Sequence, residues 1–212
     1  MNPGTLEAAL AADVLGYWFE HIDENVELDF QHPTVRRWHS KDPAIDAQIR
    51  STFGSLYDAV RARVQAGWHP DSLAGRVGAV IALDQFPRNM FRDSPRMYES
   101  DALARGLCLA GLQDSRHREL ALAHRLFLYM PLMHSEAIED QRLALELFGA
   151  LRDDAFGREA TARGFFEMPL GSAHRHAQNV QRFGRFPHRN GILQRPTSAE
   201  EAEFLKEENS AF

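Results

Sequence analysis

The chain has 212 residues, 44% hydrophobic and 25% charged, with 14 Phe and 3 Trp available for a core, which excludes a chiefly disordered protein. A single cysteine, Cys108, excludes an internal disulfide framework. Net charge is −6, no Lys or Arg stands before Arg36, and the longest stretches free of charge and histidine (106–113 and 126–133) fall far short of the about 20 residues that cross a bilayer, so a soluble cytoplasmic protein is expected.

In chain order the predicted elements are helices. Leu6, Leu10, Val14, Tyr17 and Trp18 recur at helical spacing and mark the first. Asp42 as N-cap and Pro43 in the first turn open a long amphipathic helix through Ile45, Ile49, Phe53, Leu56, Val60 and Val64, which Gly67 stops. An Asp71 or Ser72 cap opens the next, with Leu73, Val77, Val80 and Ile81 on its apolar face. It is expected to end near Phe86, because Pro87 disfavours helical geometry in the residue before it. Helices over about 96–112, 116–130 and 136–151 follow, the last with Ser135 as N-cap. Beyond Gly157 the pattern breaks at Met168 and Pro169, restarts after Ser172 and stops at Gly184, a residue suited to a left-handed cap. Thr197 with Glu200, or Ser198 with Glu201, has capping-box spacing for a last helix, and Asn209–Phe212 are expected to fray. No strand pattern emerges and no linker divides the chain. Residues 1–212 therefore read as one all-α domain of eight or nine helices, packed as antiparallel neighbours through short connections.

Charge is unevenly spread along this framework. Residues 1–35 hold Glu7, Asp13, Glu20, Asp23, Glu24, Glu27 and Asp29 with no Lys or Arg, whereas 168–199 hold Arg175, Arg182, Arg185, Arg189 and Arg195 with no acid. The basic segment suits either an anionic ligand or internal docking against the acidic first third. One short echo links it to an earlier stretch. Gln85-Phe86-Pro87-Arg88-Asn89 returns as Arg185-Phe186-Pro187-His188-Arg189-Asn190, each expected just past a helix end, with the Phe buried and the polar residues facing one concavity.

Three blocks, LDQFPRNMFR (83–92), FLYMPLMHSE (127–136) with Gln141 downstream, and RFGRFPHRN (182–190) with His176 upstream, resemble those of a widespread bacterial family of uncharacterised proteins. Weaker matches are VLGYWF (14–19), Trp38 and the start of the Asp42–Phe53 helix, so the resemblance spans nearly the whole chain. It implies an all-helical, tetratricopeptide-like α-α superhelix, and it implies no activity and no catalytic residues.

The polar residues of the blocks suit two classes of function. In the first they form a site for a small anionic ligand, in an enzyme or a binder. His134 and Glu136 are then the proton-transfer pair, and Asp84, Arg88, Asn89, His176, Arg182, Arg185, His188, Arg189 and Asn190 are the ligand-binding set. Either Glu136 or Asp84 can orient His134. In the second class a superhelical groove holds a peptide or partner protein and the same residues are structural, Asp84 pairing with Arg88 or Arg189. Substitutions separate the two: a pocket held ready for an anion makes Arg88→Gln or Arg189→Gln neutral or stabilising, and a satisfied network makes them costly. No metal is expected, since His134 and Glu136, like His174 and His176, stand two apart and share no helix face; the alternative is a helix entry at His134, where that spacing can converge with His176 or His188. Cys108, between Leu107 and Leu109, reads as core. No motif names a cofactor. An acidic chain with one short, proline-broken basic segment does not suit nucleic acid, and no helix has the basic, Trp-rich character of a membrane-surface binder.

Overall fold

The structure is a computed structural model that describes residues 2–22, 28–157, 163–208 and 210, so the fraying expected over Asn209–Phe212 falls, Ser210 apart, outside the described residues. Among these the regular elements are all helical: α1 (Pro3–Ala9), α2 (Leu15–Trp18), α3 (Pro33–His39), α4 (Pro43–Gln65), α5 (Leu73–Val80), α6 (Phe86–Met90), α7 (Asp101–Leu112), α8 (Leu122–Met133), α9 (Ile138–Gly157), α10 (Arg163–Phe183) and α11 (Ala199–Phe204). Short 3-10 turns cover Pro95–Tyr98, Ser115–Glu119 and Pro187–Arg189. Among the described residues no helix is long and apolar enough to cross a membrane.

Side-chain caps open the helices where the sequence supplies them. Asp42 accepts from the Ala44 N–H at the start of α4, Ser72 from Gly75 at α5, and Ser135 from Ala137 just before α9. Ser198 and Glu201 form the reciprocal capping box of α11, so this pair is used rather than Thr197 with Glu200. Gly67 and Gly184 follow α4 and α10 at φ +89° and +68°, where a Cβ would be strained.

Both expected breaks at proline are bridged. α5 runs into α6 through a π turn over Ile81–Gln85, with right-handed dihedrals kept at Ile81 and Phe86. Pro87 has no N–H to offer the Leu83 carbonyl one turn back, and Ser100 Oγ donates to that carbonyl instead, at 2.6 Å. Arg88 Nη1 donates to the next carbonyl, that of Asp84. The helix therefore does not end near Phe86. α10 likewise continues through Met168 and Pro169. Phe165, Phe166, Leu170 and Ala173 are all buried on either side, and this packing outweighs the about 3 kcal/mol that an interior proline costs an isolated helix. The echoed segments accordingly differ: Phe86–Asn89 lies inside a helix run, and Phe186–Asn190 lies in and beside a 3-10 turn after Gly184.

The core is aromatic at its centre. Trp18 packs edge-on to Phe86 and Phe127, with ring centroids 5.6 and 5.5 Å apart, and Phe86 stacks on Phe53 at 4.7 Å. The N-terminal helix, which has its own π turn over Leu10–Val14, lies so close to α5 that a Cβ on Gly78 would sit 2.5 Å from the Leu10 carbonyl oxygen. Gly78→Ala is expected to destabilise by about 1 to 3 kcal/mol, although alanine is the better helix former, because backbone rather than a flexible side chain has to give way. Gly54→Ala in α4, with nothing within 4 Å of its Cβ, is the internal control and is expected to be neutral or stabilising in the same urea titration. Consecutive helices pack on one another from α7 to α10; α7 and α8 also pack on α5 and the π turn after it, and α10 packs on α9 and α8.

Candidate functional site

The π turn sets the centre of the site by carrying Asp84, whose residue is fully buried, toward the end of α8. Asp84 Oδ1 meets His134 Nδ1 at 2.8 Å, and Oδ2 accepts from Gln85 Nε2 at 2.5 Å. Arg88, one turn on, lies 3.3 Å from Asp84 and extends to Asp101, donating to both carboxylate oxygens at 3.0 Å. Asp101 is also 3.6 Å from Arg189 Nη1. Arg189 Nη2 donates to the His134 carbonyl at 3.0 Å, and its guanidinium lies over the rings of Tyr98 and Phe186 at 4.6 and 4.5 Å. The His176 ring is 6.1 Å from that of His134 and 5.3 Å from that of Phe186. Gln141 braces this corner, its amide donating to the carbonyls of Leu132, Met133 and Ser135 around the turn that presents His134.

Residues of all three blocks thus meet: Asp84, Arg88, His134, His176 and Arg189 share neighbours, with His188 packed against Phe186 at 5.8 Å. Phe186 is buried beside them, whereas Phe86 is buried in the aromatic core with Trp18 and Phe53. Glu136 lies at the edge and does not orient His134. Both its oxygens accept from Arg195, at 2.8 and 3.0 Å, and Oε1 also accepts from the Phe186 N–H at 2.8 Å. Of the two carboxylates that could orient the imidazole, Asp84 is the one in place.

Other residues of the expected ligand set lie elsewhere. Asn89 donates to Asp46 at 2.8 Å and, with Arg50 and Arg92, lines a surface hollow of about 400 Å³ beside the start of α4. Arg182 pairs with Glu200 and Arg185 with Glu201, both fastening α11 to the end of α10. Asn190 accepts from Arg195 Nε at 3.0 Å and serves as its support. The basic segment therefore meets carboxylates at 101, 136, 200 and 201, and its pairs among the described residues are not with the acidic first third. Tyr98 and Asp101 were not singled out from the sequence, and Arg195 stood out only as part of the basic segment. Charge arithmetic holds a signal for them, since the blocks carry more Arg than acid and a buried cluster must find its missing carboxylate nearby.

Burial and charge set the protonation states. Burial opposes ionisation of Asp84, but Arg88 and His134 outweigh it and hold the carboxyl well below the usual range. His134 is pushed down, first by burial and then by Arg88, against the pull of Asp84, so it is neutral near pH 7. With Nδ1–H donated to Asp84, its Nε2 carries the lone pair and has no hydrogen-bond partner among the described residues. Burial lowers His176 to about 3 and His188 to about 4, aided by His134 and Arg189 respectively. Burial and then Arg88 also lower Arg189, which stays charged, and its Nε–H is buried without a partner. Cys108 is core: the residue is fully buried and burial pushes its thiol up. Among the described residues no group of three or more His, Cys, Asp or Glu is placed to hold a metal ion.

Residues 14–209 match the family described as bacterial protein of unknown function (DUF924). The chain is also similar to a solved structure of a protein of unknown function from Agrobacterium tumefaciens. The two are 32% identical, the match covers 94% of this chain and 98% of that one, and the TM-score is 0.74. No curated protein matches.

Proposed function

The chain belongs to this bacterial family of unknown function, and from that premise we propose that the cluster around His134 binds a small anionic ligand, with His134 as the group that exchanges a proton with it. One observation carries the reading. His134 is oriented through Nδ1 by a fully buried carboxylate and keeps an unpartnered acceptor at Nε2, while Arg189, bonded to the His134 carbonyl, keeps a buried Nε–H without a partner. An acceptor and a cationic donor left over in one cluster are complementary to a ligand that brings both an anionic oxygen and a proton-bearing atom. Asp84 fixes the imidazole tautomer, as buried carboxylates do for proton-transferring histidines. Arg88 is engaged by two carboxylates and backs the site, so Arg189 is the anion contact. The arrangement serves a binding protein or an enzyme alike.

The tetratricopeptide-like superhelix belongs to the same reading, supported by the stepwise packing of α7, α8, α9 and α10. A peptide-binding groove has no comparable observation behind it.

Thermal unfolding in phosphate against chloride at equal ionic strength tests the site. At a ligand concentration 100 times its dissociation constant the wild type should gain about 2.7 kcal/mol, with Arg189→Gln gaining much less. Equal unfolding temperatures in phosphate, chloride and a panel of anionic metabolites would overturn the proposal.

A further inference from the structure

Resting on the anion-site reading above, we propose that the ligand is a dianionic oxyanion of the phosphate or sulfate class and that it binds together with one proton, held on His134 Nε2. Arg88, Arg189 and Arg195 bring three positive charges, and Asp84, Asp101 and Glu136 bring three negative ones, linked in contacts of 2.8 to 3.6 Å. The cluster is therefore neutral before a ligand arrives, and a buried dianion would bring two uncompensated negative charges, which one proton taken up with it halves. The three arginines are already charged and the carboxyls of Asp84 and Glu136 are held ionised by their cationic neighbours, so the imidazoles of His134, His176 and His188 are the groups that can take the proton.

His134 is the one built for it. Its Nδ1 faces the Asp84 carboxylate at 2.8 Å, and its Nε2 lone pair meets no donor among the described residues. Protonation there makes an imidazolium that spans Asp84 on one side and the oxyanion on the other. The proton comes from solvent, and no bond of the ligand changes. The charges facing His134 explain why the step waits for the ligand. Arg88 from α6, Arg189 from the 3-10 turn and the His176 ring from α10 oppose protonation, while Asp84 from the π turn and Asp101 from α7 favour it. The added dianion tips this balance. His176 differs in having Nδ1 on the Ser172 carbonyl instead of on a carboxylate.

Sulfate is the probe, because it does not titrate near neutrality and any proton taken up must reside on the protein. Isothermal titration calorimetry of the full chain at pH 7, in buffers of different ionisation enthalpy, is expected to show uptake of about one proton per sulfate. Affinity should fall by up to about tenfold per pH unit above the pKa of the bound state. His134→Gln should bind more weakly and take up almost none, while His176→Gln keeps the uptake. Should His134→Gln fail to fold, nitrogen NMR of the wild-type imidazoles reads the same event, as conversion of His134 to imidazolium on adding sulfate. Sulfate binding with no proton uptake overturns the linkage and leaves the anion site standing. No binding of sulfate or phosphate between pH 5.5 and 8 overturns the ligand class proposed here, and only a null against the panel of anionic metabolites as well overturns the anion site.

Discussion

Arg88→Gln is expected to cost about 3 to 5 kcal/mol of folding stability, the largest effect of any single exchange in the polar cluster. Among the described residues Arg88 is the cation that joins the buried Asp84 to the half-buried Asp101, lying 3.3 Å from the first and donating to both oxygens of the second. Its side chain is 19% exposed and that of Asp84 is 0% exposed, so water cannot replace the lost partner. The Asp84 carbonyl loses a donor as well, in a turn where Pro87 already withholds one. Urea titration reads the loss as a shift in midpoint at unchanged slope. A neutral result would mean that His134 takes over Asp84 completely, which a cluster of neutral imidazoles does not allow. For Arg88, then, the structure favours the satisfied-network outcome over the strained empty pocket. Arg189, whose Nε is buried and unpartnered, is the arginine with a donor to spare for a ligand.

Acid should weaken the protein well above the range in which carboxylates titrate. His176 and His188 are held at about 3 and about 4 in the folded chain, against about 6.5 when unfolded. Between those values the unfolded chain binds more protons, so stability rises with pH across the window and is lost as pH falls from 6.5. Going from pH 7 to pH 5 costs about 1.4 kcal/mol for each pH unit below 6.5, hence about 2 kcal/mol per histidine and about 4 kcal/mol for the pair. His117, His124 and His134 are also lowered, chiefly by burial, and add to the loss in the same direction. Asp84 does not offset it: a depressed carboxylate contributes stability that is lost only as pH falls below about 4. Urea titrations at pH 7 and pH 5 in matched salt check the difference, and equal midpoints would contradict buried neutral imidazoles.

Much of the fold was legible in the sequence because its determinants are local. The Asp42 cap, the apolar row from Ile45 to Val64 and the stop at Gly67 lie within one helix and need nothing from the rest of the chain. Pro87 was misleading for the opposite reason: what rescues the helix is a hydroxyl at Ser100, thirteen residues away and on another element. Pro169 is tolerated through burial of Phe165, Phe166 and Leu170, which no local rule registers. The site followed the same division. The three blocks do hold Asp84, Arg88, His134 and Arg189, but neighbours along a helix point in different directions. Arg88 therefore joins the cluster while Asn89 turns to Asp46. Asp101 escaped notice because an acid in the first turn of a helix usually complements the helix dipole at the surface, and here it is the hinge between two arginines.

The Phe186 amide, held by Glu136, has a further use. It joins points fifty residues apart through a single N–H whose acceptor is a side chain rather than a ladder or a helix. Its exchange with deuterated solvent therefore reports one event, the release of the segment carrying Arg189 and Arg195 from the turn at His134. Exchange of the α8 backbone reports opening of the domain as a whole. Where it exchanges faster than α8, its rate divided by the intrinsic rate of the free amide gives the fraction of folded molecules in which the last segment is undocked, and so how often the cluster is incomplete in an otherwise intact chain.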